Sequence, residues 1–255
     1  MDLIHINVKD RIALVRLCRP EKKNALTAAM YLDLARALNR ADQDPEVRVI
    51  VLTGTEGVFT SGNDLNEFVD NPVVGPNGAF FQFFGALSGV TKPLVAAVDG
   101  LAVGIGATML LHCDLVFATR RARFQFPFVN LGVVPEAASS LLLPRIVGSA
   151  FAAELMLFGE MFDAERAHQL GLVNSVVPDE TLEKFTLTRA RTLASKPAGA
   201  IRLIKHLLRE REPADIAARN HLESRLFGER LLTPEFAEAV AAFRERRPPD
   251  FSRFD

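Results

Sequence analysis

The chain has 255 residues, 49% apolar and 24% charged, the balance of an ordinary globular protein able to bury a sizeable core. Its 30 basic and 31 acidic side chains leave a net charge of −1, which excludes a global electrostatic pull toward nucleic acid or an anionic membrane. No uncharged apolar run approaches the roughly 18 residues that span a bilayer, and Asp2, His5, Lys9, Asp10 and Arg11 make the N-terminus unlike a secretory signal.

Cys18 and Cys113 are far apart and form no C-x-x-C pair, so reduced thiols in a cytoplasmic protein are expected. Tyr31 stands alone among 19 phenylalanines and Trp is absent, so aromatic volume is almost wholly without a polar handle.

In chain order, residues 3–8 and 11–17 alternate and are rich in Ile, Val and Leu, which predicts a hairpin turning at Lys9-Asp10. Thr27 can cap a helix whose apolar positions are Met30, Leu34, Leu38 and Ala41. A strand at 48–53 leads into the turn FTSGNDL (59–65), and the Pro- and Gly-rich stretch 70–78 reads as a loop. Phe80, Phe81, Phe83 and Phe84 sit on a helical segment; strand 94–98, the turn DGLAVGIGA (99–107), a helix to His112 and strand 114–118 follow. Asp163 caps a short helix ended by Gly171, and strand 172–177 comes next. From Glu180 to Arg247 the pattern is helical, broken near Pro197, Pro213 and Thr233-Pro234. The recurring strand, glycine turn and helix suggest a repeated ββα-type coil.

The two glycine turns, about forty residues apart, are the most informative feature. Gly62, Gly104 and Gly106 let main chain approach a bound group without Cβ interference. The N–H groups of Asn63 and Ile105 are then the two donors expected to point into a shared space, as an oxyanion hole requires.

FTSGNDL followed by DGLAVGIGATMLLHCDLVFA resembles the crotonase (enoyl-CoA hydratase/isomerase) superfamily, and the similarity runs from RLCRPEKKNALT near Arg16 to FRERR near residue 247. SGNDL, AVGIGAT and PFVNLGVVPEAASS look most like the peroxisomal-type 3-enoyl-CoA to 2-enoyl-CoA isomerases. The resemblance implies an α/β spiral of ββα units with two near-perpendicular sheets. It places that core at 1–195, a C-terminal helical oligomerisation region at 196–255, and the chain in trimers or dimers of trimers. The substrate it implies is an acyl-CoA thioester, with no cofactor, metal, nucleic acid or membrane.

By the same resemblance the oxyanion donors fall on Asn63 and Ile105. The two water-activating glutamates of hydratases fall on Thr108 and Phe128, and neither is an acid. The isomerase-type glutamate falls on Glu136. Lys22 and Lys23 match a phosphate-contacting segment, with Ala25 and Ser61 near adenine, and Arg246 matches a basic position that reaches CoA. Gly62, Asp64, Leu65, Gly104 and Phe128 complete the implied acyl-CoA-binding set.

Each feature also has a plain reading. Glu136 follows Pro135 and can simply complement the dipole of a helix over AASSLLLPRI. Ser-Gly-Asn-Asp is good turn chemistry anywhere, and Asp64 suits a helix N-cap better than an acid catalyst. Lys22, Lys23 and Arg246 can be solvated charges. The Phe80–Phe84 cluster, with Phe126 and Phe128, is either acyl-pocket wall or ordinary core, with 70–78 as a mobile flap in the first case. GIGATM lacks the third glycine and the downstream acid of a dinucleotide fingerprint. His112, Cys113 and Asp114 cannot converge on one metal from a regular element. Ser139 and Ser140 lack a nucleophile elbow. The expected activity is therefore 3-enoyl-CoA isomerisation, against a non-catalytic acyl-CoA-binding homologue or another thioester-enolate reaction.

Overall fold

A computed structural model describes residues 3–55, 57–65, 78–209 and 212–254. Strands β1 (Ile4–Lys9) and β2 (Ile12–Leu17) pair antiparallel from Ile4↔Leu17 to Lys9↔Ile12. Their turn is Asp10-Arg11, one residue later than expected, and both residues take positive φ (53° and 63°). That is the backbone a two-residue type I′ hairpin demands, because its twist matches that of the flanking strands.

Strands β3 (Val49–Thr53) and β4 (Leu94–Val98) are buried at every residue. They belong to a six-stranded sheet of order β1-β2-β3-β4-β6-β9, parallel from β2 onward, with β6 at Leu115–Thr119 and β9 at Ser175–Val177. Such runs are apolar on both sides because helices cover both faces. Ile50, Leu52, Leu94, Ala96 and Val98 face the main core, which includes helices α1 (Ala28–Gln43) and α2 (Ala79–Gly89). The alternate residues Val49, Val51, Val95 and Ala97 face a second core that holds Leu182 and Ala190. A smaller sheet runs β5-β7-β8, with β5 at Leu101–Val103, β7 at Arg123–Gln125 and β8 at Phe162–Asp163.

The next helices are α3 (Ile105–Thr108), α4 (Ser139–Val147), α5 (Ser149–Phe158) and α6 (Ala164–Gln169). Then come α7 (Leu182–Ala194), α8 (Ala198–Arg209), α9 (Glu212–Arg230) and α10 (Pro234–Glu245). Thr27 accepts from the Met30 N–H and Asp163 from the Arg166 N–H, so both expected caps form. Pro213 lies in the first turn of α9, where its missing N–H costs nothing. On α8 the side chains of Leu203, Ile204, Leu207 and Leu208 are all more than half exposed, an apolar stripe left uncovered among the described residues.

Two expected elements are shorter than the periodicity suggests. The helix to His112 is α3 followed by a tighter 3-10 turn, Met109–His112. The chain must extend there because the Asp114 N–H pairs with Leu94 O at 2.7 Å. Strand 172–177 begins only at Ser175, because the N–H groups of Leu172 and Val173 turn back to Ala167 O at the end of α6. The loop expected at 70–78 lies outside the described residues except for Gly78, which precedes α2.

Candidate active site

The two glycine turns pack on each other. Thr60 N–H donates to Leu101 O at 2.8 Å and Val103 N–H to Thr60 O at 3.1 Å. A Cβ at Gly62 would lie 2.8 Å from Val103 O, and one at Gly106 would lie 2.6 Å from Thr60 Cγ2. Those two glycines therefore serve the close approach of one turn to the other. Gly104 differs: at φ 56° and ψ −119° it holds a backbone that L side chains avoid, and nothing lies within 4 Å of its Cβ position.

Beside this junction lies a cleft of about 530 Å³, in the size range of small-molecule sites. Leu26 N–H donates to Gly62 O and Asp64 N–H to Leu26 O, so the intervening Asn63 N–H faces away from Leu26. Ile105 opens α3, and a first-turn N–H has no partner within its own helix. Asn63 and Gly104 line the cleft, whereas the Ile105 side chain is buried in the core and leaves only its main chain for function.

Glu136 lines the same cleft and is 8% exposed. It does not sit in the first turn of α4, as a dipole-complementing acid would. Ala137 and Ala138 follow it at φ 59° and 56°, and the helix starts only at Ser139. His112 Nε2 donates to Ala137 O at 2.8 Å, and burial lowers the ring's pKa to about 4, so it remains a neutral donor. On the cleft side, the Tyr31 hydroxyl donates to Asn63 Oδ1, which turns the Asn63 amide nitrogen toward Glu136. Burial first, then the charge of Glu223, pushes the Glu136 carboxyl up to about 8, against a smaller downward pull from the Asn63 hydrogen bond. Burial, with the charge of Glu136, also raises the Tyr31 phenol and keeps it a donor.

Lys22, Lys23, Ala25 and Ser61 line the cleft as well. Asn24, fully buried, pins this segment: its Oδ1 accepts from Arg19 N–H and its Nδ2 donates to Val58 O at 2.8 Å. Ser61 N–H donates to Lys23 O, so the lysine loop and the first glycine turn form one wall. Asp64 accepts from Arg19 Nη1 at 2.8 Å; the segment it was expected to cap lies outside the described residues. Gly62, Leu65 and Phe128 also line the cleft. Arg246 does not; it is exposed at the end of α10, three residues beyond Phe243, which does.

Thr108 is fully buried in the core, and Phe128 is an apolar wall, so neither position offers a carboxylate. The Phe80–Phe84 cluster follows the core reading: Phe80 and Phe83 pack on Tyr31 with ring centroids 5.8 and 5.4 Å away, and Phe84 packs on His112 at 5.3 Å. His112, Cys113 and Asp114 diverge to Ala137 O, Met109 O and the Leu94 N–H.

Tyr31, Asn24, His112 and Glu223 were not singled out as site residues from the sequence. Tyr31 carried a signal in being the one hydroxyl-bearing aromatic. Glu223 carried another, because α9 buries the stripe Ile216, Asn220 and Glu223, two polar residues on an otherwise inward face. Phe227 of the same helix lines the cleft with Phe236 and Phe243 of α10.

A sequence model described as enoyl-CoA hydratase/isomerase matches residues 7–253. Human enoyl-CoA delta isomerase 2 is 38% identical over 249 residues, covering 95% of this chain and 63% of that protein, so the chain spans under two thirds of that relative's length. The 2,3-dehydroadipyl-CoA hydratase of Escherichia coli is 34% identical over 98% of this chain and 99% of its own. A crystal structure of an enoyl-CoA hydratase/isomerase from Pseudoalteromonas atlantica superposes with a TM-score of 0.94 at 40% identity, covering 98% of this chain and all of that one. The α/β architecture is thus the crotonase fold, and the chain belongs to the enoyl-CoA hydratase/isomerase family.

Proposed function

We propose that the chain isomerises 3-enoyl-CoA thioesters to trans-2-enoyl-CoA in fatty-acid degradation, with Glu136 as the proton carrier. One observation carries this: Glu136 is a buried carboxyl lining the cleft at the junction of the two glycine turns, with its pKa raised to about 8. The Glu136 carboxylate takes a proton from C2, and the thioester becomes a dienolate. Main-chain N–H groups of Asn63 and Ile105 act as the oxyanion hole for its oxygen. The same carboxyl returns the proton at C4, which leaves the double bond conjugated with the carbonyl. A pKa near operating pH suits a group that must both accept and donate. Phe128, Phe227 and Phe236 keep water from the intermediate.

This chemistry needs no cofactor. Lys22 and Lys23 hold the CoA phosphates, and Ala25 and Ser61 lie against its base. The uncovered stripe on α8 supports self-association, as in the trimers or dimers of trimers that the resemblance implies.

Hydration of a 2-enoyl-CoA is the second reading, favoured by a second buried carboxylate, Glu223, that interacts with Glu136. Glu223 does not line the cleft and its Oε1 is engaged by Ser140, so isomerisation is preferred. The test follows formation of the conjugated thioester from a 3-enoyl-CoA by wild type and Glu136→Gln. A loss of about 10²–10⁴-fold in turnover is expected. Undiminished turnover in the variant would refute Glu136 as the proton carrier, and 3-hydroxyacyl-CoA as the main product from a 2-enoyl-CoA would favour hydration.

A further inference from the structure

Glu136 precedes an unusual stretch of backbone. Ala137 and Ala138 are consecutive L-residues in the left-handed region, at φ 59° and 56°. In that region the side-chain Cβ crowds the following carbonyl oxygen, so both positions are sterically strained. Such strain persists only where surrounding contacts over-determine it. Ala138 is also the N-cap of α4, and its methyl group has nothing with which to cap a helix.

The missing cap comes from another part of the chain. Glu223, on α9 and 4% exposed, accepts from the Ser140 N–H at 2.9 Å and from the Ser140 hydroxyl at 2.6 Å. The Ala138 N–H also hydrogen-bonds this carboxylate. Arg219, one turn earlier on α9, donates to Ser140 Oγ at 3.1 Å. From the opposite side His112 holds Ala137 O. The turn after Glu136 is therefore gripped at both ends of its strained segment, and α9 supplies one grip.

We propose that Glu223 is the positioning residue of Glu136: by capping α4 from α9 it holds the Ala137-Ala138 turn so that the Glu136 carboxyl faces the cleft. Its second effect is electrostatic. Beside Glu136 the charge of Glu223 favours the protonated form. Among the described residues the other groups facing this pair are Tyr31, which stays protonated, His112, which stays neutral, and Arg219, which partly offsets the charge of Glu223. Asn220, one turn before Glu223, is buried and carries no charge.

The proposal rests on Glu136 as proton carrier, and the test separates the two. Full-length wild type, Glu136→Gln, Glu223→Ala and Glu223→Gln are compared for kcat, KM and the pH profile of kcat/KM with a 3-enoyl-CoA. Glu223→Ala removes the cap, and kcat should fall about 10–100-fold while KM moves less than about threefold, the pattern of a misaimed reacting group. Glu223→Gln keeps an acceptor for Ser140 but not the charge. It should retain kcat within about threefold and move the rising limb of the profile to lower pH by about half a unit to one unit. Wild-type kcat in Glu223→Ala, or an unmoved profile in Glu223→Gln, overturns the proposal. Should Glu223→Ala fail to fold, the profile of Glu223→Gln decides alone. Full activity in Glu136→Gln would instead overturn the assignment of the proton carrier.

Discussion

The turns at Gly62 and Gly104 and the turn at Ala137-Ala138 all place positive-φ backbone at the edge of one cleft, by different means. The first pair uses glycine, whose missing Cβ makes the backbone available at little steric cost and, at Gly62 and Gly106, lets two segments touch. The other uses alanine and is held from outside by His112 and Glu223. Glycine turns can be built from local sequence alone. An alanine turn in the same region is a tertiary product, and the contacts that hold it can also aim and tune the side chain it carries.

The largest expected effect comes from importing a side chain into the glycine junction. Gly62→Ala places a Cβ 2.8 Å from Val103 O at φ 96°, and the displaced Asn63 N–H should cost about 10²–10³-fold in kcat. The folded state should lose about 1–3 kcal/mol, read from chemical denaturation. Wild-type behaviour in this variant would remove the packing role assigned to the first turn.

The next effect is pH dependence. The Glu136 carboxylate must be ionised to start the reaction, and its pKa is raised to about 8. kcat/KM should therefore rise about tenfold per pH unit below that point and level off above it. A plateau reached near the ordinary carboxylate range would contradict the buried, repelled state of Glu136.

Stability carries the same signature with opposite sign. Between the unfolded carboxyl's pKa and about 8, the folded chain keeps a proton that the unfolded chain loses. The stabilisation is complete below the unfolded value and is lost as pH rises through the folded one. Glu136→Gln should gain on wild type in melting temperature as pH is raised from about 5 to about 9. A difference that is flat with pH would argue against the shift.

The smallest effect tests the alanines themselves. Ala138→Gly removes roughly 1–2 kcal/mol of left-handed strain and adds roughly 0.5–1 kcal/mol of backbone entropy. Loss of the buried Ala138 methyl group takes back roughly 0.8 kcal/mol, so the net change lies within about 1 kcal/mol of zero. Destabilisation by more than about 1 kcal/mol in denaturant titrations would mean that Ala138 is not strained, and the contrast with the glycine turns would collapse.

Much of the fold was legible because its signals are local. Alternation marked β1 and β2, unbroken apolar runs marked β3 and β4, and Thr27 and Asp163 marked helix starts. Where two local signals competed, tertiary pairing decided. Residues 172–173 have strand composition but return their N–H groups to α6, and 109–112 have helical composition but tighten to meet Leu94. Of the site, the residues on the glycine turns and Glu136 were readable, while Arg246, placed by similarity, lies outside the cleft lining.

The sequence by itself determined the two glycine turns, the absence of acids at Thr108 and Phe128, and the candidacy of Glu136. Those are properties of residue type and short-range backbone geometry. Only the tertiary structure decided what Glu136 experiences. Asn63 and Tyr31 are 32 residues apart, and Ser140 and Glu223 are 83 apart, yet their hydrogen bonds frame the Glu136 carboxyl and its turn. Proton affinity depends on burial and on charges brought close in space, and no pattern along the chain encodes either until the chain has folded.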